Sequence, residues 1–364
     1  MKHLVLVVLA VITLTAPTLG QAVVPVTPST FVRAESDLTM AAMVKNGGFG
    51  KFYVKRDVAP VDHQDMSREN RDTLYMAGVF DLDAGPLTIT LPDAGKRFMS
   101  MLPVDQDNYV TPAVYTPGPH TFTRKQIGTR YLLLAVRILV DPNDPKDLAE
   151  ARRLQDGTRV SQPGGPGKFE IPNWDPVSHK KIRDALLVLA TTVTDTSRAI
   201  GARGEVDPVL HLIETPAGMF AANPPKDAIY LSYTPAQNDG ATIHRLAVRD
   251  VPVDGFWSVS RYNEQGFFTK NAANAYTINN ITGHKSADGT IVIQFGGCDG
   301  KIPNCLPIEK GWNYMVRMYR PRGAGGEVTW AGRRVGCVDA EASGGRRMAG
   351  IRTSMLLGTV FVIH

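Results

Sequence analysis

The sequence predicts a mostly-β, α+β protein made of two β-sandwich or barrel-like modules joined by a helical connector. Three observations predict it. Strand-like alternation fills residues 50–140 and returns after residue 228, with helical spacing in between. That order of strands, helices and strands differs from the strict β/α repetition of a doubly wound enzyme. The 34 glycines and 25 prolines suit many short strands and tight turns better than a helical bundle. With 364 residues, 43% of them hydrophobic and 21% charged, the chain is long enough for two cores. The same composition excludes a disordered, collagen-like or coiled-coil protein.

The first residues have the layout of a secretory signal peptide. Lys2 and His3 precede an apolar run from Leu4 to Leu14, and small residues follow at Gly20 and Ala22. Residues 1–22 are therefore expected to be removed by cleavage after Ala22. The other reading, an uncleaved anchor, meets an apolar run shorter than the roughly 20 residues a span needs. No later segment approaches that length, so an exported protein, periplasmic or secreted, with no membrane span in its mature chain is expected. Cys298 and Cys305 flank the turn Asp299-Gly-Lys-Ile-Pro-Asn304, and an oxidising compartment favours a disulfide between them. A zinc site is the rival reading, but two thiols without a nearby His or further Cys serve it poorly. Cys337 is left over. The 40 basic residues are scattered among 35 acidic ones, giving a net charge of +5 without a basic run, which argues against a nucleic-acid partner.

The N-terminal module is expected over residues 35–160. Leu87–Leu91 reads as a strand stopped by Pro92-Asp93, and Tyr131–Val140 as a second, ended by Asp141-Pro142. Asp144-Pro145 supplies an N-cap and first helical residue for a helix to about Gln155, stopped at Gly157. The connector, residues 161–225, opens with the loop Ser161-Gln-Pro-Gly-Gly-Pro-Gly167. Asp175-Pro176 then starts a helix expected to run to about Ile200, with Ile182, Leu186, Leu189 and Val193 at helical spacing. A shorter helix covers Pro208–Ile213. The C-terminal module, residues 226–334, has strands at Ile229–Tyr233, His244–Val248, Trp257–Tyr262, Thr290–Phe295 and Tyr314–Tyr319. Residues 335–364 carry no strand or helix period and are expected to lie outside the core as an atypical tail.

Two sets of motifs point to a family. Asn70-Arg-Asp-Thr-Leu-Tyr75, Leu91-Pro92-Asp93 and Gly128-Thr-Arg-Tyr131 resemble the bacterial domain of unknown function 1254. Gly255-Phe-Trp-Ser258, Tyr262, Asn271, Asp288-Gly289 and Trp312-Asn-Tyr-Met-Val-Arg-Met-Tyr-Arg-Pro321 resemble its usual C-terminal partner, domain of unknown function 1214. The resemblance spans roughly residues 35–330 and implies two β-sandwich or barrel-like modules in an exported protein. It implies little chemistry beyond a carboxylesterase label on some members. After Trp330, where the family continues with an acidic-aromatic-Pro segment, this chain has Arg333-Arg-Val-Gly-Cys337, which puts the last strand in question.

Several residues are candidates for function. Asn70, Arg71 and Asp72 stand just before the apolar strand start at Leu74, where a carboxylate beside a guanidinium can orient a polar ligand or act as a base. The same residue types also satisfy backbone groups where a strand begins. Asp105 and Asp107, two apart, could share a proton or hold a divalent cation, or else cap a turn. His63 and His120 are the titrating groups of the first module, and His179, beside Lys180 and Lys181, reads as solvated. No serine, Ser258 included, lies in a G-x-S-x-G elbow, and no H-E-x-x-H, P-loop or G-x-G-x-x-G occurs. Alternation on the last strong strand puts Trp312, Tyr314, Val316 and Met318 on one face and Asn313, Met315, Arg317 and Tyr319 on the other.

Two functions follow as expectations. The first is a small-molecule site between the modules, hydrolytic in character and without a serine elbow, with Asp72 as acid/base or polarising carboxylate helped by Asn70, Arg71 and Asp105. The second is a non-catalytic ligand-binding or cell-envelope interaction protein using an exposed aromatic face of Trp312 and Trp257, with Asn313 and Arg317 as polar contacts. No cofactor is expected, the divalent cation at Asp105 and Asp107 being the alternative.

Overall fold

The computed structural model describes residues 22–64 and 66–322, together with the backbone of two short strands near residue 330. Most of the expected signal peptide, Cys337 and the tail at 335–364 lie outside the described residues.

The chain runs through β1 (Val23–Val24), α1 (Phe31–Lys45), β2 (Tyr53–Lys55), β3 (Thr73–Asp81), β4 (Leu87–Leu91), β5 (Met99–Asp105), β6 (Gly118–Phe122), α2 (Arg124–Ile127), β7 (Tyr131–Leu139), α3 (Pro145–Gly157) and β8 (Arg159–Ser161). Strands β2, β3, β7 and β5 form an antiparallel sheet in that order, and β6, β4 and β8 a second. Leu74, Met76 and Phe80 of β3 and Leu132, Leu134, Val136 and Ile138 of β7 meet Leu87, Ile89 and Leu91 of β4 in the core between them. The opposite face of β7 is covered as well: Leu133 and Ala135 pack under Met40 and Met43 of α1, and Leu139 joins aromatic residues of the second sheet-rich region. Burial on both faces explains why β7 reads as a continuous apolar run instead of alternating. Helix α3 starts as its residues dictate, with Asp144 accepting from the Lys146 amide and Pro145 at the first helical position.

In the connector, β9 (Asn173–Trp174) pairs in parallel with β1, and α4 (Pro176–Ala190) and α5 (Pro208–Glu214) follow. Helix α4 stops at Ala190, well short of Ile200. The hydroxyls of Thr191 and Thr192 turn back onto the carbonyls of Val188 and Leu189. A β-branched Thr-Thr-Val sequence that competes in this way for backbone partners ends a helix. Leu186 is buried and Ile182 packs beside it, but Leu189 is exposed. Helix α1 has no counterpart in the sequence reading, because its buried side mixes Ser36 and Asp37 with Phe31, Ala34, Met40 and Met43 and shows no clean apolar stripe.

The second region has β10 (Ala228–Tyr233), β11 (His244–Val248), β12 (Trp257–Tyr262), β13 (Thr277–Asn279), β14 (Ile291–Phe295), β15 (Cys305–Leu306) and β16 (Asn313–Tyr319), followed by β17 (Thr329–Trp330) and β18 (Arg333–Arg334). Strands β10, β16, β12 and β13 form one sheet and β11, β14 and β15 another. Trp257, Val259, Trp312, Tyr314, Val316 and Met318 fill the space between them with Leu246, Ile293 and Phe295. The disulfide joins Cys298 to Cys305 and ties β15 to the loop after β14. Both regions are thus packed, open sheets in a mostly-β, α+β fold, and no barrel closes among the described residues. Nor is any described helix long and apolar enough to cross a membrane.

Candidate functional site

Where the two regions meet, each offers polar side chains from the face of a central sheet. Alternation along β16 sends Asn313, Met315, Arg317 and Tyr319 away from the Trp312 core. Registry then lines up Tyr230, Arg317, Ser258 and Asn279 as one row across β10, β16, β12 and β13. From the first region come the segment Glu69–Thr73, Tyr75 on β3 and Arg137, the partner of Tyr75 on β7. Around them Phe98, Leu139, Phe256, Tyr262, Phe268, Tyr276 and Tyr319 form a largely aromatic layer. Gly255, in the Gly-Phe-Trp-Ser motif, is needed here for close approach: a Cβ on it would lie 2.7 Å from the Tyr319 carbonyl and 2.9 Å from the Phe98 ring.

Asp72 is 0% exposed. Its Oδ1 accepts from Thr277 Oγ1 at 2.9 Å and Asn279 Nδ2 at 3.0 Å, both from the second region. Its Oδ2 has no hydrogen-bond partner. Asn70 positions the segment by accepting from the Asp72 amide at 2.7 Å and donating to the Tyr319 hydroxyl at 3.0 Å. The Ser258 hydroxyl, in the row between Arg317 and Asn279, is buried and unpartnered too.

Arg317 is buried but satisfied. It donates to Ser260 Oγ, to the Tyr262 hydroxyl at 2.6 Å, and to the carbonyls of Arg68 and Glu69. Tyr262 in turn donates to the Glu69 carbonyl at 2.7 Å. Arg68 donates to Asn313 Oδ1, so the segment before Asp72 is fastened to three residues of β16, Asn313, Arg317 and Tyr319. Arg137 is the opposite case. It is 1% exposed, its Nε and Nη1 have no hydrogen-bond partner, and its guanidinium lies 5.6 Å from the Tyr75 ring centre. Burial holds the neighbouring Tyr319 phenol well above its ordinary pKa, so it stays neutral.

The remaining expected residues are dispersed. Asp105 sits at the far end of the first sheet: it pairs with Leu132 while Thr73 pairs with Leu139, a separation of about 23 Å along β7. There it caps the amides of Asp107 and Tyr109, and burial raises its carboxyl above the usual range. Asp107 is engaged by Arg33 and Arg203. These carboxylates meet guanidinium groups instead of facing an open coordination sphere, and no cluster suited to a metal occurs among the described residues. Arg71 is half-buried, its guanidinium stacked 5.0 Å from the Tyr276 ring centre, and burial lowers its pKa. Trp312 and Trp257 are closed in the core of the second region, Trp312 stacking on Phe295 at 4.9 Å. The exposed aromatic face expected there does not exist, because the sheet β11-β14-β15 covers it, and Asn313 and Arg317 point to the other side. His179 is not solvated: it bonds Glu35 at 2.7 Å and stacks on Phe31.

Arg137 went unnoticed in the sequence. Its signal is a lone charge inside the nine-residue run Tyr-Leu-Leu-Leu-Ala-Val-Arg-Ile-Leu. Thr277 and Asn279, on a three-residue strand, leave no comparable trace.

Comparison with known families accounts for both halves of this interface. Residues 49–162 match the family described as protein of unknown function DUF1254, and residues 228–323 match protein of unknown function DUF1214. The chain carries a DUF1254 domain followed by a DUF1214 domain. Asp72 and Arg137 belong to the DUF1254 domain, while Ser258, Tyr262, Thr277, Asn279 and Arg317 belong to the DUF1214 domain, so the buried network is shared between them. Among solved structures, the VPA0106 protein of Vibrio parahaemolyticus is similar at a TM-score of 0.64 and 17% identity, over 82% of this chain and 95% of that one. An uncharacterised protein from Burkholderia cenocepacia is similar at a TM-score of 0.46 and 10% identity, over 81% and 85% of the two chains. The first of these likenesses shows the fold. No curated protein matches the chain.

Proposed function

We propose that this is an exported protein that holds a small polar molecule between the facing sheets of its DUF1254 and DUF1214 domains. The observation that carries the reading is Asp72, a carboxylate closed from solvent, fixed through one oxygen by Thr277 and Asn279 and unpartnered at the other. An unsatisfied buried acceptor costs about 1–3 kcal/mol, and more when it is charged, and a ligand that donates to Oδ2 removes that cost. The disulfide supports export, since such bonds persist in oxidising compartments.

Binding is favoured over hydrolysis, because Asp105 is remote and Asn70 and Arg71 are occupied in positioning the segment. A hydrolytic reading has one observation behind it, the unpartnered Ser258 hydroxyl in the same row as Arg317 and Asn279. Testing the protein without residues 1–22 against esters, lactones, amides and glycosides, by turnover and by shift in melting temperature, separates the readings. Binding predicts a compound that raises the melting temperature of wild type and not of folded Asp72→Asn, without turnover. Turnover abolished in folded Asp72→Asn and Ser258→Ala makes the site hydrolytic. Equal stabilisation of wild type and Asp72→Asn by every compound that binds removes Asp72 from the site.

A further inference from the structure

The structure assigns an anion-binding position to Arg137, and we propose that it takes the carboxylate of a small monoanionic acid. The inference rests on the inter-domain reading above and adds the class of ligand.

Arg137 and Arg317 provide a comparison within one interface. Both are buried, but Arg317 donates to four different oxygens of the protein, whereas Arg137 keeps Nε and Nη1 unpartnered. The side-chain hydrogen bond of Arg137 is to Tyr75, a phenol and not a carboxylate. A guanidinium cannot escape this by losing its proton, as a buried lysine can. The desolvation of a lone cation is costly in a protein interior, and one buried without a counter-charge calls for an anion from outside the chain.

The surroundings say which anion. The groups that act on Arg137 are the phenols of Tyr75, Tyr230 and Tyr319, Tyr75 through a hydrogen bond as well, which leaves Nε and Nη1 open. Burial keeps the Tyr319 phenol protonated, so it accepts hydrogen bonds without supplying charge. One uncompensated positive charge is balanced by a monoanion, and a dianion over-balances it. The rest of the layer is aromatic, with Phe98, Phe256 and Tyr319 in mutual contact at 5.0, 5.4 and 4.3 Å between ring centres. A carboxylate whose short apolar or aromatic body also carries a hydrogen-bond donor suits this lining, the charged head meeting Arg137, the body meeting rings and the donor meeting Asp72 Oδ2.

The test is a melting titration of wild type and Arg137→Met with sodium acetate and sodium benzoate, set against sodium chloride and sodium phosphate at matched ionic strength. A carboxylate is expected to raise the wild-type melting temperature saturably beyond the effect of chloride. Arg137→Met is expected to bind at least tenfold more weakly and, in chloride, to melt no lower than wild type, because the variant buries no unpaired charge. Stabilisation of wild type by neither carboxylate beyond chloride overturns the proposal, as does equal stabilisation of the variant, and these arms decide the matter in wild type alone should the variant not fold. Phosphate stabilising as strongly as acetate overturns the carboxylate assignment. A neutral ester or glycoside that binds wild type and Arg137→Met alike, but not Asp72→Asn, leaves the inter-domain site standing and removes Arg137 from it.

Discussion

Arg317 donates to the Tyr262 hydroxyl at 2.6 Å, and both side chains reach the same carbonyl, that of Glu69 in the other domain. Through this shared oxygen the last strong strand of the DUF1214 domain fixes the segment that carries Asn70 and Asp72. The polar network therefore acts as a clamp as well as a lining.

Arg317→Met should be strongly destabilising, in contrast to Arg137→Met. It leaves the Arg68 carbonyl without its donor and takes one donor each from the Glu69 carbonyl and the Ser260 and Tyr262 hydroxyls, at a cost on the order of 3–5 kcal/mol. Denaturant unfolding measures it, and a loss below about 1 kcal/mol contradicts the clamp.

Trp312→Ala should also cost roughly 3–5 kcal/mol, as for any large aromatic removed from a core. Trp312 faces away from the inter-domain layer, so ligand affinity measured on the folded fraction should be retained. A loss of affinity without a loss of stability would return Trp312 to the binding surface.

Reducing the Cys298–Cys305 disulfide, or replacing both cysteines by serine, opens a short loop and should cost roughly 2–3 kcal/mol. Hydrogen exchange should rise first in β15, whose pairing with β14 rests on that loop. Uniform exchange across the second region would contradict this localisation.

Burial pushes the Glu214 carboxyl from 4.5 up to about 7. Because the native state holds its proton more tightly than the unfolded state, this group stabilises the protein at low pH, and its contribution fades as pH rises from about 4.5 through 7. Glu214→Gln should therefore be more stable than wild type at pH 8, by on the order of 1–3 kcal/mol, and less pH-dependent over that window. Melting curves of both proteins across pH 4–8 check it, and parallel curves would contradict it.

Local chemistry was legible in the sequence. Asp144-Pro145 and Asp175-Pro176 mark true helix starts, and the alternation of Asn313–Tyr319 gives both of its faces correctly. The failures are of two kinds. Helix α1 buries Ser36 and Asp37, so tertiary hydrogen bonds such as Gln106 to Asp37 replace the apolar stripe a sequence would show. The candidate site depends on contacts between residues roughly 200 apart, such as Asn279 with Asp72, and no local pattern encodes them. Asp105 and Asp72 share chemical type alone, and strand registry separates the two. Arg137 could have been found, since a charge within a doubly buried strand needs a partner or a purpose.

The most direct test of a ligand between the domains is a high-resolution crystal structure grown with sodium benzoate present. Non-protein density is expected between the two sheets, within hydrogen-bond distance of Arg137 Nε or Nη1 and bordered by Tyr75 and Tyr319. Continuous protein packing in that layer, with Arg137 bonded only to protein groups or ordered water, would contradict it.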